Sequence, residues 1–513
     1  MNNAPAIFRS LIIYAICVPL AIVVGYLLAN PLDYSTFAYA GVLGLVLVFP
    51  LLIRWHYLLL VFSVNTGMYV FFLKGNPAFW LVMVVVSLGI SLLDRAMNSQ
   101  KHFIRVPQMT WPLICMLGVV FMTAKLNGGI GLHAFGSEVY GGKKYVLLGM
   151  GILSYFAFTA QRIPPERVNL YVALLLLGGI LKLIGDFYPI TPSFLHFIFL
   201  LFPPNDVSNE VFEMGRTRMI GVASAALAFI YWLMAKYGLR GIVLSNKLWR
   251  PVAFAVASMM ILMGGFRLLI IAYLVVCGLL FFMDGLHRTR ALLVVTLVGM
   301  LGVVSIIPLA PKLPYTFQRT LAFLPLNLSL EARASAQSSS EWRVNLWKSL
   351  LPQVPSHLLL GKGYAITAED FQSMGQDTAF HAMDPSQEGL SLSGDYHNGP
   401  LSVVIPFGIW GVIVTLWFMF AGLRVIYCNF RHGDGSLRTI NTFLWVYYIF
   451  CSFRFLFLFG GLTSDMIILA STIGFSIALN GGVCRPAPQA VQARRPMAHP
   501  GKVLPRVRPA FQR

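Results

Sequence analysis

The chain has 513 residues, of which 57% are hydrophobic and only 11% are charged, and its mean hydropathy is +0.73. A soluble domain cannot bury that much apolar surface, whereas each helix that crosses a bilayer needs about 20 apolar residues. The apolar runs do not alternate with polar residues, which argues against a membrane β-barrel. The composition therefore predicts an all-α, polytopic integral membrane protein.

Long apolar runs recur along almost the whole chain and predict about 14 transmembrane helices, because most runs approach the length that a bilayer requires. The boundary between the ninth and tenth spans is drawn at Gly264, Gly265 and Arg267, and one long re-entrant hairpin is the alternative there. Segment 194–202 is too short to span and is expected to lie in the membrane interface. The predicted spans are 8–29, 36–53, 56–73, 77–93, 110–124, 145–161, 168–187, 218–236, 251–265, 268–283, 291–310, 400–423, 439–459 and 464–482.

The distribution of Lys and Arg predicts the orientation, since the cytoplasmic loops of membrane proteins are enriched in both. With the N-terminus inside, the short basic loops are cytoplasmic, for example the one that contains Arg95 and Arg105. Both termini are therefore predicted inside, and loops 125–144, 186–217 and 311–399 outside. The opposite orientation would place every short basic loop on the wrong side of the membrane.

The net charge of +19 follows from these loops and from a C-terminal tail rich in Pro, Arg and Ala. The tail has no apolar periodicity, so it is expected to be disordered and attracted to anionic lipid headgroups. No folded basic surface indicates a nucleic-acid partner, and the six cysteines form no CxxC metal pattern. The chain divides into N-terminal transmembrane helices (1–200), helices with arginine motifs (201–310), a large exterior loop (311–399), C-terminal transmembrane helices (400–483) and the cytoplasmic tail (484–513).

The long exterior loop contains a predicted amphipathic helix in SSSEWRVNLWKSLLPQ, residues 338–353. Its apolar residues recur at helical spacing, and Ser338 with Glu341 matches a capping box. A proline near its end is expected to stop the helix. Arg343 and Trp347 are four residues apart, so they share one face of it.

The same loop ends in GDYHNGP, residues 394–400, immediately before a predicted span. The imidazole of His397 suits proton transfer near neutral pH. The simpler interpretation is a helix start, with Asn398 as the N-cap and Pro400 in the first turn. The two interpretations are compatible, because a cap would hold the imidazole in place.

These motifs, in this order, resemble the C-terminal motif of the O-antigen ligase and O-antigen polymerase superfamily. GRTRMIGVASAALAF (215–229) is similar to the arginine-then-glycine start of a span in that family. LMGGFRLLIIAYL (262–274) is similar to its Ser-x-Ser-Arg motif, although Gly264 and Phe266 replace both serines. The resemblance covers about residues 210–460. Its C-terminal part rests on Arg343, Trp347, Gly361, Gly363, His397 and Asn398, followed by Gly408 and Gly411.

The resemblance implies a GT-C-like glycosyltransferase in the bacterial inner membrane, with its active site on the periplasmic side. Members of the superfamily take a glycan from an undecaprenyl diphosphate carrier and pass it to a lipid A-core sugar, a growing glycan or a protein hydroxyl. The planar guanidinium of arginine binds phosphate bidentately, so no metal or other cofactor is expected. The implied roles are diphosphate binding for Arg218, Arg267 and Arg343, catalysis for His397 and Arg343, and support for Asn398, Gly361, Gly363 and Trp347.

Other interpretations of these residues are open at the level of sequence. Arg343 can instead extend from an amphipathic helix to the membrane interface. Gly361 and Gly363 are more typical of a turn than of a phosphate cradle, since no Walker-type lysine and serine follow them. Arg216 and Arg218 are interchangeable apart from their spacing to the glycine that follows.

Three further charged residues lie within predicted spans. Arg454 is a candidate to join the same basic pocket, and Lys182 and Asp186, four residues apart, are a candidate structural ion pair. A repeat-unit polymerase is the alternative function within the superfamily, and a lipid-linked glycan transporter or flippase is the alternative from another class. The two halves of the chain show no similarity and its polar residues are concentrated in one loop, which favours the transferase.

Overall fold

A computed structural model describes residues 34–98, 100, 102–128, 141–204, 218–366 and 394–486, together with four positions of the N-terminal segment. Within these residues helix is the only extended regular structure, and Tyr69 and Ala78 form one isolated antiparallel bridge. The predicted all-α class is confirmed. The helices are α1 (Tyr34–Ser63), α2 (Phe79–Met97), α3 (Pro107–Asn127), α4 (Gly142–Phe158), α5 (Val168–Leu177), α6 (Ile220–Val243), α7 (Trp249–Ile261), α8 (Arg267–Met283), α9 (Ala291–Leu309), α10 (Tyr315–Thr320), α11 (Leu330–Leu350), α12 (Val354–His357), α13 (Gly399–His432), α14 (Arg438–Phe453) and α15 (Leu462–Asn480).

Eight helices in the described part of the chain are long and apolar enough to cross a membrane, and three further apolar helical stretches are shorter. These helices indicate a multi-pass membrane protein, while the total of about 14 spans stays a prediction. The first predicted span, 8–29, lies largely outside the described residues, as does Arg216. The undescribed parts of the predicted exterior loops and of the tail are 129–140, 205–217, 367–393 and 487–513.

One helix, α1, covers the predicted span 36–53 and the first part of the predicted span 56–73. α1 runs for 30 residues, about 45 Å at the usual rise, which exceeds the roughly 30 Å of a bilayer core. The helix continues through both Pro50 and the polar stretch at Arg54, so neither ends it. After Ser63 the chain forms turns, and the second predicted span is therefore wrong beyond that residue.

The predicted break between the ninth and tenth spans is a helix–turn–helix. α7 continues as a short 3₁₀ turn to Gly264, Gly265 has φ of +67° in the left-handed region, and α8 then begins at Arg267. The hydroxyls of Ser258 and Tyr273 lie 3.0 Å apart and join the two helices across this turn. The turn therefore brings the start of α8 next to the start of α6, where the amide of Met219 donates to the carbonyl of Met263 at 3.1 Å.

One apolar core joins the N-terminal and C-terminal helices. α4 and α15 approach closely because Gly151 faces Met466 and Gly474 faces Phe158, so no Cβ separates the helices at these two points. α6 lies at the centre of the other half, where it contacts α5, α7, α8 and α14. The close approach of α4 and α15 is therefore set by glycines, which have no side chain, and not by hydrogen bonds between polar groups.

The amphipathic loop helix is longer than predicted. α11 begins at Leu330, and Ser329 is its N-cap, with a hydroxyl that accepts a hydrogen bond from a backbone amide at 3.3 Å. The predicted capping box is wrong, because Ser338 lies inside the helix and Glu341 accepts a hydrogen bond from Gln337. The serine-rich first turns have no apolar periodicity, which is why the pattern placed the start too late.

The helices bring the predicted site residues to one end of the bundle. α6, α8 and α13 begin there, α14 ends there, and α11 lies against them. At the opposite ends of α13, α14 and α15, the side chain of Asn441 donates to the carbonyl of Asn429 at 3.1 Å and to Asn480 at 3.0 Å. The site is therefore separated from this asparagine cluster by the length of the helices.

Candidate functional site

Arg218 lies just before α6 and is buried, with 7% of its surface exposed. Its guanidinium stacks on the ring of Phe266 at 4.5 Å, and its Nε and Nη2 have no hydrogen-bond partner in the described structure. Burial and then repulsion by Arg319 lower the pKa of Arg218 to about 10, while Tyr315 acts in the opposite direction. The residue is therefore charged at neutral pH, and its unused donors are costly unless a ligand accepts from them.

Arg267 and Arg343 both donate to the serine-rich first half of α11. Nη2 of Arg267 donates to the hydroxyl of Ser340 and to the carbonyl of Ala336, each at 2.9 Å. Nη1 of Arg343 donates to the hydroxyl of Ser339 at 3.2 Å and to its carbonyl at 3.0 Å. The two arginines come from distant parts of the sequence and meet along one helix face.

Arg343 is held from its other side by an aromatic ring. Its guanidinium lies 4.6 Å from the centre of the ring of Phe459, and its Nε is buried without a hydrogen-bond partner in the described structure. Burial and then repulsion by Arg267 and Arg319 lower the pKa of Arg343. Half-burial against an aromatic residue differs from the simple extension to an interface that an amphipathic helix allows.

Arg319 was not among the predicted site residues. It lies on α10, where its Nη1 donates to the carbonyl of Gly265 at 2.8 Å and its Nε to the hydroxyl of Ser335 at 3.0 Å. Burial lowers the pKa of Arg319, Tyr315 raises it and Arg267 lowers it. No motif surrounds Arg319 in the sequence, and its only signal was a basic residue in the predicted exterior loop.

We call Arg218, Arg267, Arg319 and Arg343 the arginine cluster. In the described part of the chain none of the four forms an ion pair with a carboxylate. After burial, the groups that perturb the pKa values of Arg218, Arg319 and Arg343 are other arginines and a tyrosine. Four like charges that are partly shielded from water, with no carboxylate partner among the described residues, are a candidate anion-binding site.

His397 lies next to this cluster, at the start of α13. Its ring packs edge-on against Trp342, with the ring centres 5.7 Å apart, and Trp342 is the neighbour of Arg343 on α11. The backbone of His397 has φ of +46°, a left-handed conformation that is uncommon for a residue with a Cβ. The local structure therefore holds His397 in a backbone conformation that residues with a Cβ disfavour.

The two neighbours of His397 are fixed by the predicted supporting residues. The indole Nε1 of Trp347 donates to the carbonyl of Tyr396 at 3.0 Å. Asn398 is the N-cap of α13, and its side chain accepts from the amide of Leu401 at 3.0 Å. The predicted helix start is therefore confirmed, and it leaves the imidazole facing the helix that carries Arg343.

The order and placement of these residues agree with the comparison to known families. Residues 252–416 match the O-antigen ligase family. This region, less than half of the chain, is therefore similar to O-antigen ligases. No curated protein matches the chain as a relative. The matched region includes Arg267, Arg319, Arg343 and His397, while Arg218 lies outside it and reaches it through Phe266.

The predicted resemblance to the O-antigen ligase and polymerase superfamily is confirmed by this match. Members of the superfamily join or polymerise glycans, which supports a glycosyltransferase-like role for the chain. The end of the bundle that holds the arginine cluster is formed largely from the matched residues 252–416.

Within the matched residues 252–416, Gly361 and Gly363 complete a broken helix. α13 is interrupted at Gly408, whose φ is +62°. The amides of Lys362 and Gly363 donate to the carbonyls of Ile405 and Pro406 at 2.7 and 2.9 Å. Both glycines have positive φ, and a Cβ on Gly361 would lie 2.2 Å from the carbonyl oxygen of Pro406. The structure thus favours the structural interpretation of this pair over a phosphate cradle.

Arg454 is neutralised by a carboxylate and does not add a free cation to the arginine cluster. It forms an ion pair with Asp465, which also accepts from the amide of Gly461 at 3.0 Å. Arg454 begins the π-helical turn Arg454–Leu458 and Asp465 lies in α15, so the pair spans the segment that carries Phe459, whose ring contacts Arg343. Arg454 therefore has a structural role beside the arginine cluster, because its ion pair stabilises the segment that carries Phe459.

Lys182 and Asp186 do not form the ion pair for which the sequence made them candidates. Residues 178–190 form a 3₁₀ helix, with about three residues per turn, so positions four apart leave a common face. Asp186 instead accepts from the amide of Val222 at 2.8 Å, and Gly221 packs against the carbonyl of Lys182. Asp186 thus caps α6 just after Arg218.

Lys144, at the end of the predicted exterior loop 125–144, lies near the segment before His397. Its Nζ lies 5.8 Å from the ring centre of Tyr364, and burial lowers its pKa while Asp395 raises it. Within the described residues no group of three or more His, Cys, Asp or Glu side chains is arranged to hold a metal ion.

Proposed function

We propose that this protein is an O-antigen ligase-like glycosyltransferase that moves a glycan from a polyprenyl diphosphate to an acceptor hydroxyl. The observation that carries the proposal is the arginine cluster: among the described residues it has no carboxylate partner, and Nε and Nη2 of Arg218 have no hydrogen-bond acceptor. Fixed guanidiniums suit a diphosphate leaving group, because their attraction grows as negative charge develops on it. The match to O-antigen ligases supplies the glycan side of the proposal.

The donor in this proposal is a glycan on undecaprenyl diphosphate, and the acceptor is a lipid A-core sugar or another glycan. The reaction takes place on the periplasmic side of the bacterial inner membrane. The support for that side is the charge asymmetry of the loops, which puts the residues of the arginine cluster on the face opposite to the basic loops.

The proposed reaction is a single displacement at the anomeric carbon. The acceptor oxygen forms a bond to this carbon, the bond from the carbon to the diphosphate oxygen breaks, and the diphosphate leaves with the electron pair. His397 takes the proton of the acceptor hydroxyl, while Arg218, Arg267 and Arg343 bind the diphosphate. Arg343 follows Trp342, whose ring packs against His397. In the proposal, Arg343 therefore stabilises the negative charge that develops on the diphosphate oxygen nearest the acceptor. A single displacement inverts the anomeric configuration.

The supporting residues in the proposal act through position. Trp347 and Asn398 fix the residues on either side of His397 by their hydrogen bonds to backbone groups. Gly361 and Gly363 hold together the broken start of α13. Loss of any of these contacts shifts the imidazole relative to Arg343, and a shift of about 1 Å is enough to cost on the order of 10²-fold in rate.

Deletion of the gene in the native host, followed by gel profiling of surface glycans, tests the proposed function. Loss of all of this glycan from lipid A-core, single repeat units included, indicates a ligase, and a single repeat unit left on the core indicates a polymerase. Unglycosylated proteins with an unchanged lipid profile indicate a protein oligosaccharyltransferase. Carrier-linked glycan that accumulates on the cytoplasmic face would instead support the transporter alternative.

Variants of the site test the proposed roles. His397→Ala should abolish transfer without loss of membrane insertion, and normal transfer would refute the assignment of the base. Replacing Arg267 or Arg343 by Lys keeps the charge but removes the planar fork, so activity should fall by on the order of 10²-fold. Arg333→Lys is the matched control, since Arg333 is exposed on α11 and donates to the carbonyl of Leu326.

A further inference from the structure

A cavity of about 500 Å³ lies between α3 and α13, at the end of the bundle away from the arginine cluster. The two helices are antiparallel, because Asn127, the last residue of α3, lies beside Gly363, which is bound to the first turns of α13. The start of α3 therefore lies against the far part of α13. The volume of the cavity is within the range of roughly 300–1,000 Å³ that is usual for ligand sites.

One face of α13 forms the first wall of this cavity. Trp417, Phe420, Ala421 and Arg424 line it, and their spacing of three, four and seven residues places them on a single stripe of the helix. The rings of Trp417 and Phe420 are exposed, so no described helix covers them. The stripe is apolar over about 10 Å of the helix axis and ends in one guanidinium.

The first turn of α3 forms the opposite wall, with Pro107, Gln108 and Trp111. Trp111 adds a second exposed indole, and Gln108 adds a side-chain amide that can donate hydrogen bonds. On both walls the polar side chain lies nearer to the end of the bundle, and the indole lies one or two helical turns deeper. This gradient from apolar to polar matches the order of acyl chain and headgroup in a membrane lipid.

The charge at the mouth of the cavity favours an anion. Arg424 is exposed and makes no ion pair with any described carboxylate, and no acidic residue lines the cavity. Arg105, two residues before Pro107, is a second exposed cation at this end of the bundle. A guanidinium binds a phosphate bidentately, whereas the ammonium of a zwitterionic headgroup would meet like charges and no carboxylate.

We propose that this cavity binds one phospholipid with an anionic headgroup, taken from the leaflet on the side of the basic loops. Arg424 and Gln108 bind the lipid phosphate, and an acyl chain lies between Trp111 and Trp417. The bound lipid fills the space between α3 and α13 and so stabilises their packing. The inference does not depend on the proposed glycan transfer, because the cavity and the arginine cluster lie towards opposite ends of α13.

Native mass spectrometry of the purified full-length protein in detergent tests the inference. The probes are phosphatidylglycerol and phosphatidylethanolamine with the same acyl chains, and the measured quantity is the ratio of their dissociation constants. The wild-type protein should bind phosphatidylglycerol at least about fivefold more tightly, as expected for one guanidinium near an anionic headgroup. Arg424→Gln should reduce this preference to below about twofold.

A matched control and two further variants locate the lipid. Arg438→Gln should keep the wild-type ratio, since Arg438 is an exposed cation at the start of α14 that does not line the cavity. Trp417→Ala removes an apolar wall but keeps the charge, so it should weaken both lipids by about tenfold and preserve their ratio. Arg424→Lys keeps the charge without the planar fork and should give an intermediate ratio. It also replaces Arg424→Gln if thermal unfolding shows that this variant does not fold.

A wild-type ratio near one, or a ratio that Arg424→Gln leaves unchanged, would overturn the inference. An equal loss of the ratio in Arg438→Gln would do so as well, because the preference would then belong to the basic surface as a whole. Unchanged affinities in Trp417→Ala would place the lipid outside the cavity. Tighter binding of phosphatidylcholine than of phosphatidylglycerol would instead assign the two indoles to a quaternary ammonium group.

Discussion

Replacing His397 by glycine and by alanine separates its proposed chemistry from its backbone conformation. Both variants lack the imidazole, so both should lose glycan transfer. They differ in the backbone, because φ at this position is +46° and only alanine keeps a Cβ that this conformation disfavours. We therefore expect His397→Gly to be the more stable variant, the reverse of the order found in ordinary helices and strands.

The size of this difference follows from two opposing terms. A left-handed conformation costs a residue with a Cβ about 1–2 kcal/mol. Glycine avoids that cost but loses about 0.5–1 kcal/mol through its freer unfolded chain. Both variants lose the edge-on contact with Trp342, so that term cancels in the comparison. The net expectation is a free energy of unfolding about 0.5–1 kcal/mol higher for His397→Gly than for His397→Ala.

Thermal unfolding of the two variants side by side in detergent measures the difference, with transfer assayed on membranes from the same cells. A difference of this size corresponds to about 0.5–1 °C in Tm for a chain of 513 residues. If His397→Ala is as stable as His397→Gly, the left-handed backbone is not a fixed feature of the site. If either variant transfers glycan at the wild-type rate, the imidazole is not the base.

Three other predictions concern residues around the site. Asp465→Asn should cost about 3–5 kcal/mol of stability, since it leaves the guanidinium of Arg454 without its counter-ion, and adding Arg454→Met should recover part of the loss; no recovery would contradict the pairing. Gly361→Ala should lower Tm strongly, because its Cβ would lie 2.2 Å from a backbone oxygen at a residue with φ of +75°, and an unchanged Tm would show that the break in α13 is not held as described. Burial lowers the pKa of Arg218 to about 10, and anion binding needs the protonated form, so the advantage of wild type over Arg218→Gln in diphosphate affinity should be constant below about pH 9 and should decline as the pH rises through about 10; an advantage as large at pH 11 as at pH 8 would refute the shift.

Local patterns in the sequence were sufficient where the signal lay within a few residues. Asn398 before Gly-Pro predicted the start of α13, and that start was confirmed because capping depends on residues three positions apart. The break near Gly265 was also visible, since glycines interrupt the apolar run there. The predicted pairing of Arg343 with Trp347 on one face placed both residues next to the His397 segment.

Tertiary contacts decided the features that sequence reasoning missed. Arg319 stands in YTFQRT, which has no motif, and its importance comes from Gly265 and Ser335, 54 and 16 residues away. Phe266 seemed a departure from the Ser-x-Ser-Arg motif, yet its ring supplies the surface on which Arg218 stacks. Hydropathy also divided α1 at Arg54, because it measures apolarity and not the continuity of backbone hydrogen bonds.

The interruption of α13 has a consequence for how the protein is made. Residues 405, 406 and 409 obtain part of their backbone hydrogen bonding from a segment that precedes them by some 40 to 50 positions, through the contacts of Leu358, Lys362 and Gly363. During synthesis this segment must already be on the correct side of the bilayer when α13 inserts, or three peptide groups enter the membrane without partners. The long loop is then a template for membrane insertion, and an epitope tag placed between α12 and Tyr364 should block biogenesis instead of merely slowing catalysis.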